Sequence, residues 1–113
     1  MAPVTSLRNV GPATAAAFAR AGITTAEEVR ALGADEAYAR LIESGERPHF
    51  IGYYVLHMAL QGRPWSDCRG EEKAALRARF DALKAARWDR ARTALDAFMD
   101  EFGLVDPAAG RRA

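Results

Sequence analysis

The chain has 113 residues, with 16 Lys and Arg against 15 Asp and Glu and a formal net charge of +1. That length fits one domain and leaves no room for a separate cofactor domain. The near-even charge excludes a strongly basic nucleic-acid clamp and an acidic disordered tail alike.

In chain order, the residues read as helices. Alanine and arginine dominate, both good helix formers, and no window alternates as a strand would. Met1–Thr5 lacks a charged leader and a long apolar run, so no signal peptide is expected. Residues 5–9 make one short turn. Pro12 opens a helix to Ala21 from the first helical position, where its missing N–H costs nothing. Thr25-Ala26-Glu27-Glu28 is a capping box for a helix ending near Leu32. Another helix covers Asp35 to Ser44, with Tyr38, Leu41 and Ile42 on one face. The most apolar helix, His49 to Gln61, shows Phe50, Ile51, Tyr54, Val55, Met58 and Ala59 as its stripe. Its greasy core is far short of the ~20 residues of a membrane span, so no membrane partner is expected. Gly11, Gly22, Gly33, Gly45, Gly62 and Gly103 punctuate these segments, as expected of residues flanking helix ends.

From Glu71 to Phe102 there is no Gly and no Pro. Leu76, Phe80 and Leu83 mark one stripe; Trp88, Ala91, Leu95, Phe98, Met99 and Phe102 mark a second. The step from Leu83 to Trp88 is a phase slip. Two helices with a bend near Ala86 fit it better than one slowly turning rod, since uncapped helices beyond ~30 residues are rare in small domains. The tail from Val105 is expected to fray. The fold expected is all-α, a small bundle of five to seven helices. Its core would hold Leu7, Val10, Phe18, Ile23, Val29, Leu32, Leu41, Ile51, Tyr54, Val55, Met58 and Leu76.

One segment carries chemistry. Leu7-Arg8-Asn9-Val10-Gly11-Pro12 resembles the hairpin of a helix-hairpin-helix motif, with Asn9 where glycine is commoner. Asn is well tolerated in left-handed turns. The N–H groups around Gly11, Ala13 and Thr14 have no helical partner and lie at the positive end of the helix dipole, where a phosphate could sit. Arg8, Asn9, Gly11, Ala13, Thr14 and Arg20 are therefore the candidate phosphate or DNA contacts. The plainer reading is a packing hairpin, because Glu27 and Glu28 offset Arg8 and Arg20. Few neutralised phosphates would mean weak, salt-sensitive binding.

Other residues point to bland roles. Cys68 is the only cysteine, so there is no intrachain disulfide and no Cys-based zinc cluster; this agrees with a reducing, cytoplasmic setting. His49, His57 and Asp67 or Cys68 match no recognised metal-ligand spacing. Phe50, Tyr53, Tyr54 and Trp65 could stack bases, yet at helical spacing beside Leu56 and Met58 they read as core. Ser6, Ser44 and Ser66 sit in no nucleophile motif, and no phosphate-binding glycine loop occurs. No catalytic, cofactor or metal residue is expected, and the chain reads as a non-enzyme. The second stripe, Trp88, Leu95, Phe98, Met99 and Phe102, needs cover if the first ~85 residues close their own core; it either folds back onto the same chain as an extra helix or, as the candidate oligomer interface, makes a homodimer through the C-terminal helix.

A longer succession extends the hairpin. Leu7-Arg8-Asn9-Val10-Gly11-Pro12 is followed by Ala21-Gly22-Ile23-Thr24-Thr25-Ala26-Glu27-Glu28-Val29, then Leu32-Gly33-Ala34, Ala37-Tyr38 and Leu41. Gly45 to Pro48, Tyr54, Leu56, Ala59-Leu60, Gly62 and Trp65 complete it ahead of a charged helix. This order over residues 5–85 resembles the C-terminal domain of the TfoX/Sxy family, bacterial regulators of natural competence. The resemblance implies a freestanding copy of that domain over residues 1–86, with 87–113 as a helical extension and tail. It implies a small regulatory or interaction module acting through a protein partner, with direct, weak DNA binding at the Gly11 hairpin as the alternative.

Overall fold

The computed structural model describes residues 1–101, and its first residues are strapped to a later helix. The Ala26 N–H donates to the Ala2 carbonyl at 2.9 Å, and Pro3 and Thr25 form an isolated bridge. A 3-10 turn (Val4–Ser6) then buries Val4, and the hairpin that follows buries Leu7 and Val10. Helix α1 (Pro12–Arg20) starts from an extended Gly11 with Pro12 in its first turn. It ends where Ile23 N–H reaches back to the Phe18 carbonyl at 2.8 Å and Gly22 N–H to Ala19 at 3.0 Å. That paired closure needs a left-handed residue between, and Gly22 supplies it at φ 81°.

Helix α2 (Ala26–Glu43) is capped as its sequence demands: the Thr25 hydroxyl oxygen accepts from the Glu28 N–H at 3.2 Å. Gly33 leaves helical geometry at φ 81°, ψ 165° and kinks α2. Only this residue departs and helical turns resume at Ala34, so α2, counted as one helix, is two helical segments that meet at the glycine, where the sequence reading placed the end of one helix and the start of the next. Helix α3 (Phe50–Leu60) lies against α2. A second 3-10 turn (Trp65–Asp67) leads to α4 (Gly70–Leu83). A π-helical stretch (Lys84–Asp89) carries the chain into α5 (Arg90–Glu101).

The last three segments are one rod. Leu83, Lys84 and Arg90 keep α-region dihedrals at the junctions. Residues 70–101 at 1.5 Å each make a helix of about 48 Å, matching the longest dimension, 49 Å. The phase slip is absorbed by the wider π turn, so the expected bend near Ala86 is absent. The described residues thus form four helices and two 3-10 turns with no strand, below the expected five to seven helices.

The core joins α1, α2, α3 and α4. Phe18, Ile23, Val29, Met58 and Tyr53 are almost wholly buried. An aromatic cluster locks α2, α3 and α4 together: Tyr38 and Tyr53 meet edge-on at 5.6 Å, and Phe80 lies 6.0 Å from Tyr53 and 5.6 Å from Phe50. The expected core residues Leu7, Val10, Leu41, Tyr54 and Leu76 are buried with them. Leu32 and Val55 are half-buried, and Ile51 is 57% exposed. Helix α3 is apolar on nearly every side, and it turns Tyr53 and Leu56 inward where the sequence reading placed Ile51 and Val55.

Candidate functional site

The hairpin holds its shape by backbone geometry. Asn9 takes a left-handed φ of 61°, as its side chain tolerates, and the Val10 N–H closes onto the Leu7 carbonyl at 3.2 Å. Ala15 N–H donates to the Gly11 carbonyl at 3.0 Å. The preceding N–H groups of Ala13 and Thr14 belong to the open first turn, and no side chain caps it. Arg8, Asn9, Gly11, Ala13 and Thr14 are all exposed. Arg20 stands at the far end of α1, in an exposed ion pair with Glu46 at 3.3 Å. Five of the six sequence candidates therefore gather at one end of α1, and Arg20 is spent elsewhere.

A groove of about 390 Å³ runs between this hairpin and α3. Val10, Ala13, Ala17, Ile51 and Val55 line it, and its rim carries Glu46, Arg47 and His49. The Tyr38 hydroxyl holds the rim in place: it donates to the His49 carbonyl and accepts from the His49 N–H, both at 2.9 Å. The walls are thus apolar and the rim carries both signs. Sequence reasoning missed this groove because it assigned Ile51 and Val55 to the core.

A polar cluster on another face staples α2, α3 and α4. The Tyr53 hydroxyl donates to Asp35, and the Arg79 guanidinium reaches the other oxygen of that carboxylate at 2.8 Å. Burial pushes the Asp35 carboxyl up, but the bonds from Tyr53 and Arg79 outweigh it and leave it below its ordinary value. Burial, and then the Asp35 charge, push the Tyr53 hydroxyl up. His57 is pushed down by burial and by Arg79, and bonds Gln61 at 2.9 Å. Arg63 forks onto Glu72 at 2.8 and 2.9 Å. These charges satisfy one another, so the cluster is a clamp between helices. Asp35 and Arg79 lie far apart in sequence, and no spacing signal joins them.

The remaining candidates are placed as follows. Tyr53 and Tyr54 are buried and cannot stack bases; Trp65 is 48% exposed on its 3-10 turn. Cys68 is buried, and burial followed by Glu72 pushes its thiol up, opposite to what a nucleophile needs. Among the described residues no group of three or more His, Cys, Asp or Glu could hold a metal ion. No helix of the described residues is long and apolar enough to cross a membrane. Trp88 packs half-buried against the core, with the Arg92 guanidinium 5.6 Å over its ring. Leu95 and Phe98 are 55% and 51% exposed, and Met99 is half-buried. Phe102 lies outside the described residues.

The sequence profile of the TfoX C-terminal domain matches residues 2–80. The chain belongs to the TfoX C-terminal domain family. The match takes in the hairpin, the groove and the polar clamp, and it stops inside α4, ahead of the π stretch. No curated protein and no solved structure matches the chain.

Proposed function

We propose that this TfoX C-terminal domain is a non-enzymatic regulatory module that acts in the cytoplasm by binding a protein partner. The observation that carries this reading is the groove beside the hairpin. Ile51, 57% exposed, stands on an apolar wall under a rim of mixed charge. Such a surface suits apolar side chains from a partner protein, whereas DNA affinity grows with the number of phosphates that cations neutralise. Arg20 is paired to Glu46, which leaves Arg8 and Arg47 as the cations nearest the hairpin end.

The second reading, direct DNA binding through a helix-hairpin-helix-like turn, is favoured by the exposed, uncapped N–H groups of Ala13 and Thr14 beside the left-handed Asn9. An NMR titration separates the two. Duplex and single-stranded DNA at low salt should leave the amides of Gly11, Ala13 and Thr14 unmoved. Shifts there that fade as salt rises would establish the DNA reading instead. In parallel, capture from native lysate should survive nuclease treatment and be lost in Ile51→Glu. Capture that nuclease abolishes, or that Ile51→Glu retains, refutes protein contact through the groove.

A further inference from the structure

A second hollow, of about 360 Å³, lies where Gly33 parts the two segments of α2. Arg30 from α2, His57 and Gln61 from the end of α3, and Arg79 from α4 line it, with Leu60 as an apolar wall. It shares Arg79 with the clamp and no lining residue with the groove beside α1. Among the described residues no acidic side chain lines it.

Its donors outnumber their acceptors. Arg30 makes no hydrogen bond or ion pair among the described residues. Glu27, the acid one turn before it, accepts from the Ala2 N–H. Arg79 gives Nε and Nη2 to Asp35, at 3.1 and 2.8 Å, and keeps Nη1. Arg63 donates to the Gln61 Oε1 at 2.8 Å, which turns the Gln61 amide nitrogen toward the His57 Nε2. That ring nitrogen must then accept, so the neutral ring carries its proton on Nδ1, with no partner among the described residues. Glu72, the acid near His57 on α4, is forked by Arg63. Unpaired donors thus line the hollow from three helices, and the acids near them are already held.

We propose that this hollow binds the phosphate group of a small phosphomonoester. A dianion with three terminal oxygens can take donors arriving from three helices at once, whereas a planar carboxylate suits a single guanidinium fork. The volume falls among those of small-ligand sites, ~300–1,000 Å³. It leaves room beside the phosphate for an organic part against Leu60. An open site with exposed arginines implies weak binding, with a Kd on the order of 1 mM.

Glycerol phosphate titrated into the full chain at about pH 7.5, where a monoester is a dianion, tests this by NMR. With ionic strength held constant by sodium chloride, it should shift the amides of Gly33, Ala34 and Gln61 with a Kd of about 1 mM. Saturation should raise the pKa of His57, because the anion favours the protonated ring that burial and Arg79 disfavour. Arg30→Gln, at an exposed position without a partner, should fold as the parent does and weaken binding about tenfold, the size of one charge-assisted hydrogen bond. Arg8→Gln, outside the hollow, should leave the affinity unchanged. Inorganic phosphate should bind at the same place and no more tightly than the ester. The absence of these shifts at about 20 mM ester overturns the proposal. So does full affinity in Arg30→Gln, an equal loss in Arg8→Gln, a His57 pKa that stays in place, or binding of inorganic phosphate alone. An oligonucleotide without terminal phosphates that binds more tightly than glycerol phosphate also overturns it, and makes the hollow a nucleic-acid contact.

Discussion

Ile51 and Met58 lie on the same apolar helix, yet their truncation should cost very different amounts. Met58 is fully buried at the centre of the core. Met58→Ala removes its side chain from contact on all sides and should cost about 2–5 kcal/mol. In a domain of this size that is a fall of roughly 10 °C or more in Tm. Ile51 is 57% exposed, so under half of its side chain leaves water on folding. Burying a whole isoleucine is worth about 1.5–3 kcal/mol, so Ile51→Ala forfeits about 1 kcal/mol. Alanine returns about 0.4 kcal/mol as the better helix former. The net cost should be about half a kcal/mol, a shift of a few degrees. Thermal and urea unfolding of both variants, read by far-UV circular dichroism, check the pair. Equal costs, or a loss above about 2 kcal/mol at Ile51, would put Ile51 in the core and remove the open wall on which the protein-contact reading stands.

Acid should unfold the domain in two steps. His57 lies below its usual value in the fold, so the unfolded chain takes the proton first, and stability falls as pH drops below about 6.5 until His57 itself titrates. Asp35 and Glu72 lie below the ordinary carboxylate range, so the stability they lend is whole above about pH 4–5 and is lost as pH falls through their lower folded values. Urea midpoints against pH should show both steps, and His57→Gln should erase the first alone. Gly33→Ala should cost about 1–3 kcal/mol, although an added Cβ would meet nothing within 4 Å. The whole penalty is the backbone at φ 81°, ψ 165°, and a neutral result would mean that α2 is not kinked there.

Local signals in the sequence were legible. Pro12 in the first turn, the Thr25 cap and the left-handed Asn9 each act within a few residues, and each stands where its chemistry requires. Val10, Phe18, Ile23 and Met58, apolar residues expected in the core, are all buried. Two kinds of feature were not legible. The buried face of α3 could not be read because Ile51, Tyr53, Val55 and Leu56 leave little polar contrast around the helix, and only neighbouring elements decide its rotation. The groove followed that same decision. The clamp of Asp35, Tyr53 and Arg79 joins three helices whose approach no local pattern encodes. Gly33 was legible as punctuation too: at φ 81° it separates the two helical segments of α2 that the sequence reading had divided there.

The phase slip was visible in the sequence, and its structural meaning yields a last test. Leu83 and Trp88 are five residues apart, and the π-helical stretch between Lys84 and Asp89 turns that step into a single wide turn. Both side chains therefore pack against the core. Deleting Ala86 shortens the step to four residues, the interval that shares a face in an ordinary α-helix. The tryptophan keeps its place below Leu83, and the wide turn becomes a regular one. Stability should stay within about 1 kcal/mol of the parent, as for a surface change that opens no cavity. Deleting Arg77 is the control. It lies between Leu76 and Phe80 in regular α-helix, so its loss rotates the two relative to each other by about 100°. With Leu76 in place, Phe80 loses its alignment with the rings of Tyr38, Phe50 and Tyr53, at about 3–5 kcal/mol. Chemical unfolding with tryptophan fluorescence reads both deletions. If deleting Ala86 costs as much as deleting Arg77, then Trp88 depends on the π turn itself, and the slip is a packing requirement instead of an inserted residue that the helix absorbs.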